Sequence, residues 1–439
     1  MSVSVNGREV ALDTLLLVTR DGEYSHTALR SVLDKHQYLE KRERAFITRV
    51  VEGTLEHMIE IDYIIDQFSK IKTEKMKPVI RTILRSGVYQ IKYMDSVPDR
   101  AVCNESVKLA GKRGFGSLKG FVNGVLRNIS RGLDDIAYPK DEAAYLSVRY
   151  SLPEWIVSQW LREYDAATVR RMGEAFLADR PTCVRCNTAV ISKEKLMECL
   201  REEGVTVTED ENMPCALYIE DYDYLAKLQS FREGYFYVQD LSSMEAAQWA
   251  APEEGCLAVD VCAAPGGKAL HLAEIMKGSG QVIARDLTEY KTGLIRENVE
   301  RSGLSNIKVQ QWDARIFDEE LAGAADVVIA DLPCSGLGVL GKKTDLKYKM
   351  TQKQQEELAG LQREILSAAC GYVKPGGRLL YSTCTIHKRE NEENAQWFLK
   401  THPDFELRKE QQRLPGTDRG DGFYLALFVR TGNGGTQVR

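Results

Sequence analysis

Two cysteines of this 439-residue chain stand where covalent chemistry is feasible. Cys334 follows a proline in Asp331-Leu332-Pro333-Cys334-Ser335-Gly336. Cys384 lies in Tyr381-Ser382-Thr383-Cys384-Thr385, with Glu390-Asn391-Glu392 close behind. A thiolate adds to electron-poor carbons and leaves again, so it can activate a centre that would not otherwise react. A single free cysteine is more often a buried packing residue. Two of them, each at the end of an apolar run read as a strand, suit a division of labour in which one attacks and the other assists release. Position alone does not rank them.

A ligand-binding pattern precedes them. Asp260-Val261-Cys262-Ala263-Ala264-Pro265-Gly266-Gly267-Lys268 follows an apolar run and leads straight into a helical one. Small residues let backbone approach a ligand closely, and a helix N-terminus presents free N–H groups to a carboxylate or phosphate. The pattern is neither Gly-x-Gly-x-x-Gly nor a Gly-Lys-Ser/Thr loop, which disfavours a dinucleotide or ATP. Asp286 ends the next strand, at an offset from which an acid meets ribose hydroxyls. Asp313, in Trp312-Asp313-Ala314-Arg315, is placed to accept from the exocyclic amine of adenine. Either acid could instead cap a helix, but together they fit an adenosyl ligand. A methylase of exocyclic base amines would carry Asp/Asn-Pro-Pro-aromatic at the fourth strand end. A thiol after the proline fits carbon 5 of cytosine, a poor nucleophile that becomes enamine-like once a thiolate has added at carbon 6.

These motifs need strand ends to hold them. After Gln239-Asp240, strand-like and helix-like runs alternate: 257–261 then 269–276, 281–284 then 290–302, 326–330 then 352–369, 378–384 then 391–402. The alternation predicts a parallel doubly wound sheet, with ligands at the carboxyl ends of the strands. Residues 1–132 are read as helical throughout. Apolar residues recur at helical spacing in Ile80, Ile83, Leu84, Val88 and Ile91, and again in Leu118, Phe121, Val122, Val125 and Ile129. Tyr138-Pro139-Lys140 marks the exit from this region. A helix around Trp155 and Trp160 and short β-type runs at 182–187, 205–207 and 217–219 indicate a small α+β insert. The expected domains are 1–140, 141–235 and 236–439.

Hydrophobic residues make up 43% and charged residues 28% of the chain, a globular composition. No run reaches the roughly 18 apolar residues of a membrane span, and a soluble cytoplasmic protein, monomeric and without a metal, is expected. Ten cysteines at irregular spacing imply reduced thiols. Cys183 and Cys186, lacking a second pair at zinc spacing, are read as packing residues. The net charge of -5 is unevenly spread. Residues 1–140 hold 23 basic against 18 acidic residues. Between 101 and 132, Lys108, Lys112, Arg113, Lys119, Arg127 and Arg131 face Glu105 alone, which from charge is equally a patch able to neutralise phosphates or a solvated helix face.

Taken together, the chain resembles the RNA 5-methylcytosine methyltransferases with two active-site cysteines, and within them the branch acting on bacterial small-subunit ribosomal RNA. Gln239-Asp240, 262–268, Asp286, Asp313, 331–336, 381–385 with 390–392, and Gly420-Asp421-Gly422-Phe423-Tyr424 carry the likeness. The first domain resembles the helical RNA-binding fold of the antitermination factor NusB, and the insert an RNA-recognition-like module. The likeness implies S-adenosylmethionine as cofactor in a Rossmann-like domain, bound by Cys262, Ala263, Ala264, Pro265, Gly266, Gly267, Lys268, Asp286 and Asp313. It implies Cys384 as the nucleophile, Cys334 as the group that helps break the adduct, and Asp331 at the cytosine ring edge near nitrogen 3 and bordering the cofactor. It makes RNA the partner of the basic patch. The chain departs from the family at Gly341-Lys342-Lys343-Thr344, where two arginines and a proline are common. Rival readings are the same chemistry on transfer RNA or large-subunit RNA, and a non-catalytic RNA-binding assembly factor.

Overall fold

In the computed structural model, which describes residues 6–432, contacts divide the chain into two compact units. One runs to Ala178 and takes back Leu340–Lys349; the other comprises Asp179–Val339 and the chain from Met350 onward. No helix among the described residues is long and apolar enough to cross a membrane.

The first unit is helical: α1 (Gly7–Thr19), α2 (Ser25–Lys35), α3 (Lys41–Glu56), α4 (Met58–Phe68), α5 (Pro78–Tyr93), α6 (Asp99–Lys112) and α7 (Lys119–Arg131), then α8 (Glu142–Arg149), α9 (Glu154–Glu163) and α10 (Ala166–Leu177). Side chains of Asn6, Asp141 and Asp165 accept from backbone N–H groups at the starts of α1, α8 and α10, which satisfies donors that helix geometry leaves orphaned. The apolar face of α5 packs with Ile61, Ile64 and Ile65 of α4 and with Val122, Leu126 and Ile129 of α7. Each such side chain contributes about 1.5–3 kcal/mol on burial. A fully buried carboxylate, Glu60, ties α4 to the following chain: Lys92 donates to it at 2.8 Å and Tyr138 at 2.5 Å, Tyr93 also bonds it, and Arg149 lies 3.8 Å away. Burial alone would raise its pKa, but His57, Lys92 and Tyr138 pull it down to about 2.

The insert opens the second unit with β1 (Thr182–Cys186), α11 (Lys193–Glu202), β2 (Thr206–Glu209), β3 (Ala216–Glu220), α12 (Gln229–Arg232) and β4 (Phe236–Val238). Its sheet runs β2-β3-β1-β4, and every pair is antiparallel. Cys183 and Cys186 lie on β1 and pack into different apolar clusters, so they do not share a ligand. Among the described residues no cluster suits a metal ion.

The larger sheet and its helices follow: α13 (Leu241–Ala250), β5 (Leu257–Asp260), α14 (Gly267–Ile275), β6 (Gln281–Asp286), α15 (Glu289–Ser302), β7 (Ile307–Gln311), β8 (Ala325–Asp331), then α16 (Leu346–Lys349) within the stretch that belongs to the helical unit, α17 (Gln352–Ala369), β9 (Val373–Thr383), α18 (Glu392–Thr401), β10 (Phe405–Arg413) and β11 (Phe423–Arg430). The strand order is β10-β11-β9-β8-β5-β6-β7. The five strands from β9 to β7 are parallel, as the alternation predicts. β11 and β10 run antiparallel, so the sheet is mixed. The strand order reverses between β5 and β8, which opens a crevice at their carboxyl ends.

The stretch 340–349, where the sequence departs from the family pattern, belongs to the helical unit. Asp345 accepts from the backbone N–H (3.1 Å) and hydroxyl (2.6 Å) of Ser25. Lys347 donates to the carbonyl of Glu56 at 2.8 Å, and the Tyr348 hydroxyl to that of Leu55 at 2.7 Å.

Helix α3 passes α5 so closely that a Cβ on Gly53 would lie 2.0 Å from the ring of the buried Tyr89. Gly53→Ala gains about 1 kcal/mol in helix propensity but forces an overpacked core costing about 1–3 kcal/mol. The variant is expected to melt at a lower temperature than wild type, whereas Gly120→Ala, with nothing within 4 Å of the added carbon, should not.

Candidate active site

The turn after β5 is pinned by its neighbours. Ala263 N–H donates to the Arg285 carbonyl at 2.8 Å, Ala264 N–H to the Asp286 carboxylate at 3.0 Å, and Cys262 N–H to Asp260 at 3.3 Å. Gly266, at φ 113°, takes a left-handed conformation at the start of α14, and no side chain caps that helix. Its first-turn N–H groups are the kind of site that draws a carboxylate. Asp286 is buried and also accepts from Leu287 N–H, with the Lys291 ammonium 3.0 Å away. It therefore shapes the turn as well as bordering it. Two features escaped sequence reasoning. Asp260 is buried with one carboxylate oxygen unpartnered, and Leu287 and Ile316 are more than half exposed close in sequence to Asp286 and Asp313. A buried acid with an open oxygen, an uncapped helix start and bare apolar side chains match a ligand with an amino-acid tail and a purine.

On the other side of the switch point stand the cysteines. Sγ of Cys334 and Sγ of Cys384 are 3.3 Å apart. The hydrogen bond to Cys384, followed by burial, pushes the Cys334 thiol well up, and either sulfur can be the donor of this contact. Glu390, fully buried, holds the two loops together: it accepts from Ser335 N–H at 2.8 Å, from the Ser335 hydroxyl, and from Gln362 at 3.1 Å. Asn391 donates to the Thr385 carbonyl at 3.0 Å and accepts from the Thr383 hydroxyl at 2.6 Å. Gly338 meets Gly422 backbone to backbone, and a Cβ there would fall 2.1 Å from the Gly422 carbonyl. The Asp240 carboxylate accepts from Asp421 N–H at 2.9 Å, so the Gln239-Asp240 and Gly420-Asp421-Gly422 motifs buttress the same loops.

Lys268 links the two sides. Its ammonium is 2.6 Å from Asp331, whose other oxygen accepts from the Ser382 hydroxyl at 2.8 Å. Burial opposes the lysine charge, but Asp331, with Asp260 and Cys384, outweighs it and raises its pKa. Asp331 thus accepts on both oxygens, from Lys268 and from Ser382. Asp313 is bound by Arg315, through its backbone N–H at 3.0 Å and its guanidinium at 2.6 Å. Asp313 thereby closes a turn, and no helix starts there for it to cap.

The basic patch separates into two groups. Lys108, Lys119 and Arg127 line one groove of about 500 Å³ on α6 and α7, together with Asn104 and Asn123. Lys112 and Arg113 instead pair with Glu9 and Asp13 on α1. Arg131 is exposed at the end of α7 and is not among the groove residues.

Fold and site define an S-adenosylmethionine-dependent methyltransferase. Residues 247–429 match the family model described as 16S rRNA methyltransferase RsmB/F, 5–131 the NusB family, and 152–223 a ferredoxin-like domain of RsmF/B-like methyltransferases. A probable ribosomal RNA small subunit methyltransferase B of Bacillus subtilis is 35% identical over 93% of this chain and 91% of its own. A ribosomal RNA small subunit methyltransferase B of Klebsiella pneumoniae is 30% identical over 99% and 100%. The crystal structure of the protein PH0851 superposes with a TM-score of 0.82 at 27% identity, covering 98% of this chain and all of the other. The chain belongs to the RsmB/F family.

Burial, with the Asp331 charge next, pushes Asp260 up to about 7. Between the ordinary aspartate pKa and 7 the folded state keeps a proton that the unfolded state has lost, so stability falls as pH rises through that window. Asp260→Asn, neutral at every pH, is expected to melt above wild type at pH 8 and to lose that advantage at pH 5. An advantage independent of pH would show that Asp260 is ionised throughout.

Proposed function

We propose that the protein methylates carbon 5 of a cytosine in 16S ribosomal RNA, with Cys384 as nucleophile and Cys334 as its partner in release. The observation that carries this is the 3.3 Å contact of two thiols at adjoining strand ends beside the cofactor turn. The raised pKa of the Cys334 thiol suits the ranking, because a thiol that holds its proton fits release better than attack. Lys268 offers a Cys384 thiolate a positive neighbour. The small-subunit names of the relatives support the choice of RNA.

Residues 262–268, with Asp286 and Asp313, would hold the cofactor, and Asp331 would border both ligands. S-adenosylmethionine, when bound, supplies an electrophilic methyl group. Cys384 bonds to carbon 6, and the displaced double-bond electrons make carbon 5 nucleophilic. Asp331 can accept from the exocyclic amine and hold the ring edge. After methyl transfer, loss of the carbon 5 proton to a base restores the double bond as the carbon–sulfur bond breaks. Cys334 can deliver its proton to the departing sulfur. The target must leave its stack to reach two half-buried thiols, which favours a loop or unpaired nucleotide. The groove of Lys108, Lys119 and Arg127 would carry RNA backbone, its amides adding neutral donors.

Cys384→Ala is expected to abolish methylation of 16S RNA from a deletion strain, while Cys334→Ala should accumulate a protein–RNA adduct stable on denaturing gels. The reverse pattern would sink the ranking. Bisulfite sequencing of RNA from deletion and wild-type strains should show one cytosine protected only in wild type, in 16S rather than 23S or transfer RNA. Lys119→Ala with Arg127→Ala should weaken RNA binding and lower the slope of log K against log salt by about two; an unchanged slope would place the RNA elsewhere.

A further inference from the structure

One buried charge in the catalytic half is unused by the chemistry above. Arg185, on β1 of the insert, is completely buried, a state almost never seen for arginine without firm partners. Its three nitrogens reach three separate places. Nε donates to the side-chain oxygen of Gln239 at 2.7 Å, Nη1 bonds Glu274 in the last turn of α14, and Nη2 donates to the carbonyl of Gly267 at 3.3 Å. Gly267 opens α14, the helix whose uncapped start closes the cofactor turn. The Gln239 amide also lies against that residue, 3.6 Å from where a Cβ would sit. The guanidinium rests 4.9 Å from the centre of the Tyr237 ring.

Such an arrangement is costly as a source of stability alone. A buried ion pair can often be replaced by apolar side chains of similar volume with little loss, because desolvation offsets the attraction. What a planar, five-donor fork offers that an apolar residue cannot is fixed geometry between its acceptors. Here the acceptors are the first and last turns of α14 and the chain just ahead of α13. We propose that Arg185 is a positioning residue for the cofactor: through Gly267 and Glu274 it sets the pose of the α14 N-terminus, making the insert a structural part of the S-adenosylmethionine site. The inference rests on the reading of residues 262–268 and Asp286 as the cofactor turn.

The test uses the full chain and measures S-adenosylmethionine binding by calorimetry beside the melting temperature. Arg185→Met strands Glu274 and should lower both. The pair Arg185→Met with Glu274→Gln removes the stranded charge and should recover most of the melting temperature while binding the cofactor about tenfold more weakly, the scale of one buried hydrogen bond to a charged donor. Arg185→Lys, which keeps the charge but cannot span three acceptors, should also bind weakly at near-normal stability. Asp286→Ala serves as the control for the turn and should lose binding. Recovery of affinity together with stability in the double variant, with Asp286→Ala still defective, would reduce Arg185 to a structural role and overturn the proposal. Normal binding by Asp286→Ala would overturn the reading of the turn itself.

Discussion

Two sulfur atoms 3.3 Å apart on separate loops stay there only if the strands that launch those loops are locked in register. β8 and β9 are parallel neighbours in which Asp331 lies opposite Ser382, and the Ser382 hydroxyl bonds the Asp331 carboxylate directly. From that point both chains turn away, and the buried Glu390 pulls them back together by binding the backbone and side chain of Ser335. The glycine contact of Gly338 with Gly422 closes the same assembly from the antiparallel side of the sheet. Bulk at either glycine, or loss of the Glu390 carboxylate, acts on the thiol pair without touching a sulfur. The antiparallel β11 has a purpose in this light: it brings Gly422 and Phe423 to the crevice, where Lys268 lies 5.3 Å from the Phe423 ring.

Charge is divided along the chain in a way that suits the proposed work. Residues from 141 onward carry 36 basic and 46 acidic side chains, whereas the first 140 carry an excess of cations. Around Lys268 the acids Asp260 and Asp331 outnumber it. A polyanion gains little from such surroundings, which suits the proposed placement of RNA on the groove of Lys108, Lys119 and Arg127, whereas a positively charged cofactor fits the acidic crevice.

Much of this was legible in the residues. Helical spacing in 80–91 and 118–129 predicted α5 and α7, and the run at 352–369 predicted α17 to the residue; in the structure Thr351 and Gln354 form a capping box at its start. The cysteines and the turn 262–268 were visible because their chemistry restricts the residue types nearby. What stayed hidden depends on long-range contact. β10 and β11 are joined as a hairpin without a crossover helix, so alternation of strand and helix gave no warning that the sheet turns antiparallel. Arg185 reads as one more charged residue in a short strand until Gly267 and Glu274 are brought against it. The basic run 108–131 looked like one patch, yet α1 supplies Glu9 and Asp13 to neutralise part of it, and no local pattern announces acids a hundred positions away.

The ten residues that return to the helical unit make that unit discontinuous in sequence. Lys347 is deeply buried there, and burial lowers its pKa to about 7. The carbonyls that receive Lys347 and Tyr348 belong to α3, some 290 positions earlier. The helical region is thus not a bead that can be clipped off at one linker. Cutting the gene near residue 178 would leave a fragment displaying a lysine and a tyrosine shaped for partners it no longer has, and would leave the helices with an open seam. Gain, loss or exchange of the two halves in evolution therefore requires compensating change inside the methyltransferase gene segment itself, between the Pro-Cys turn and α17.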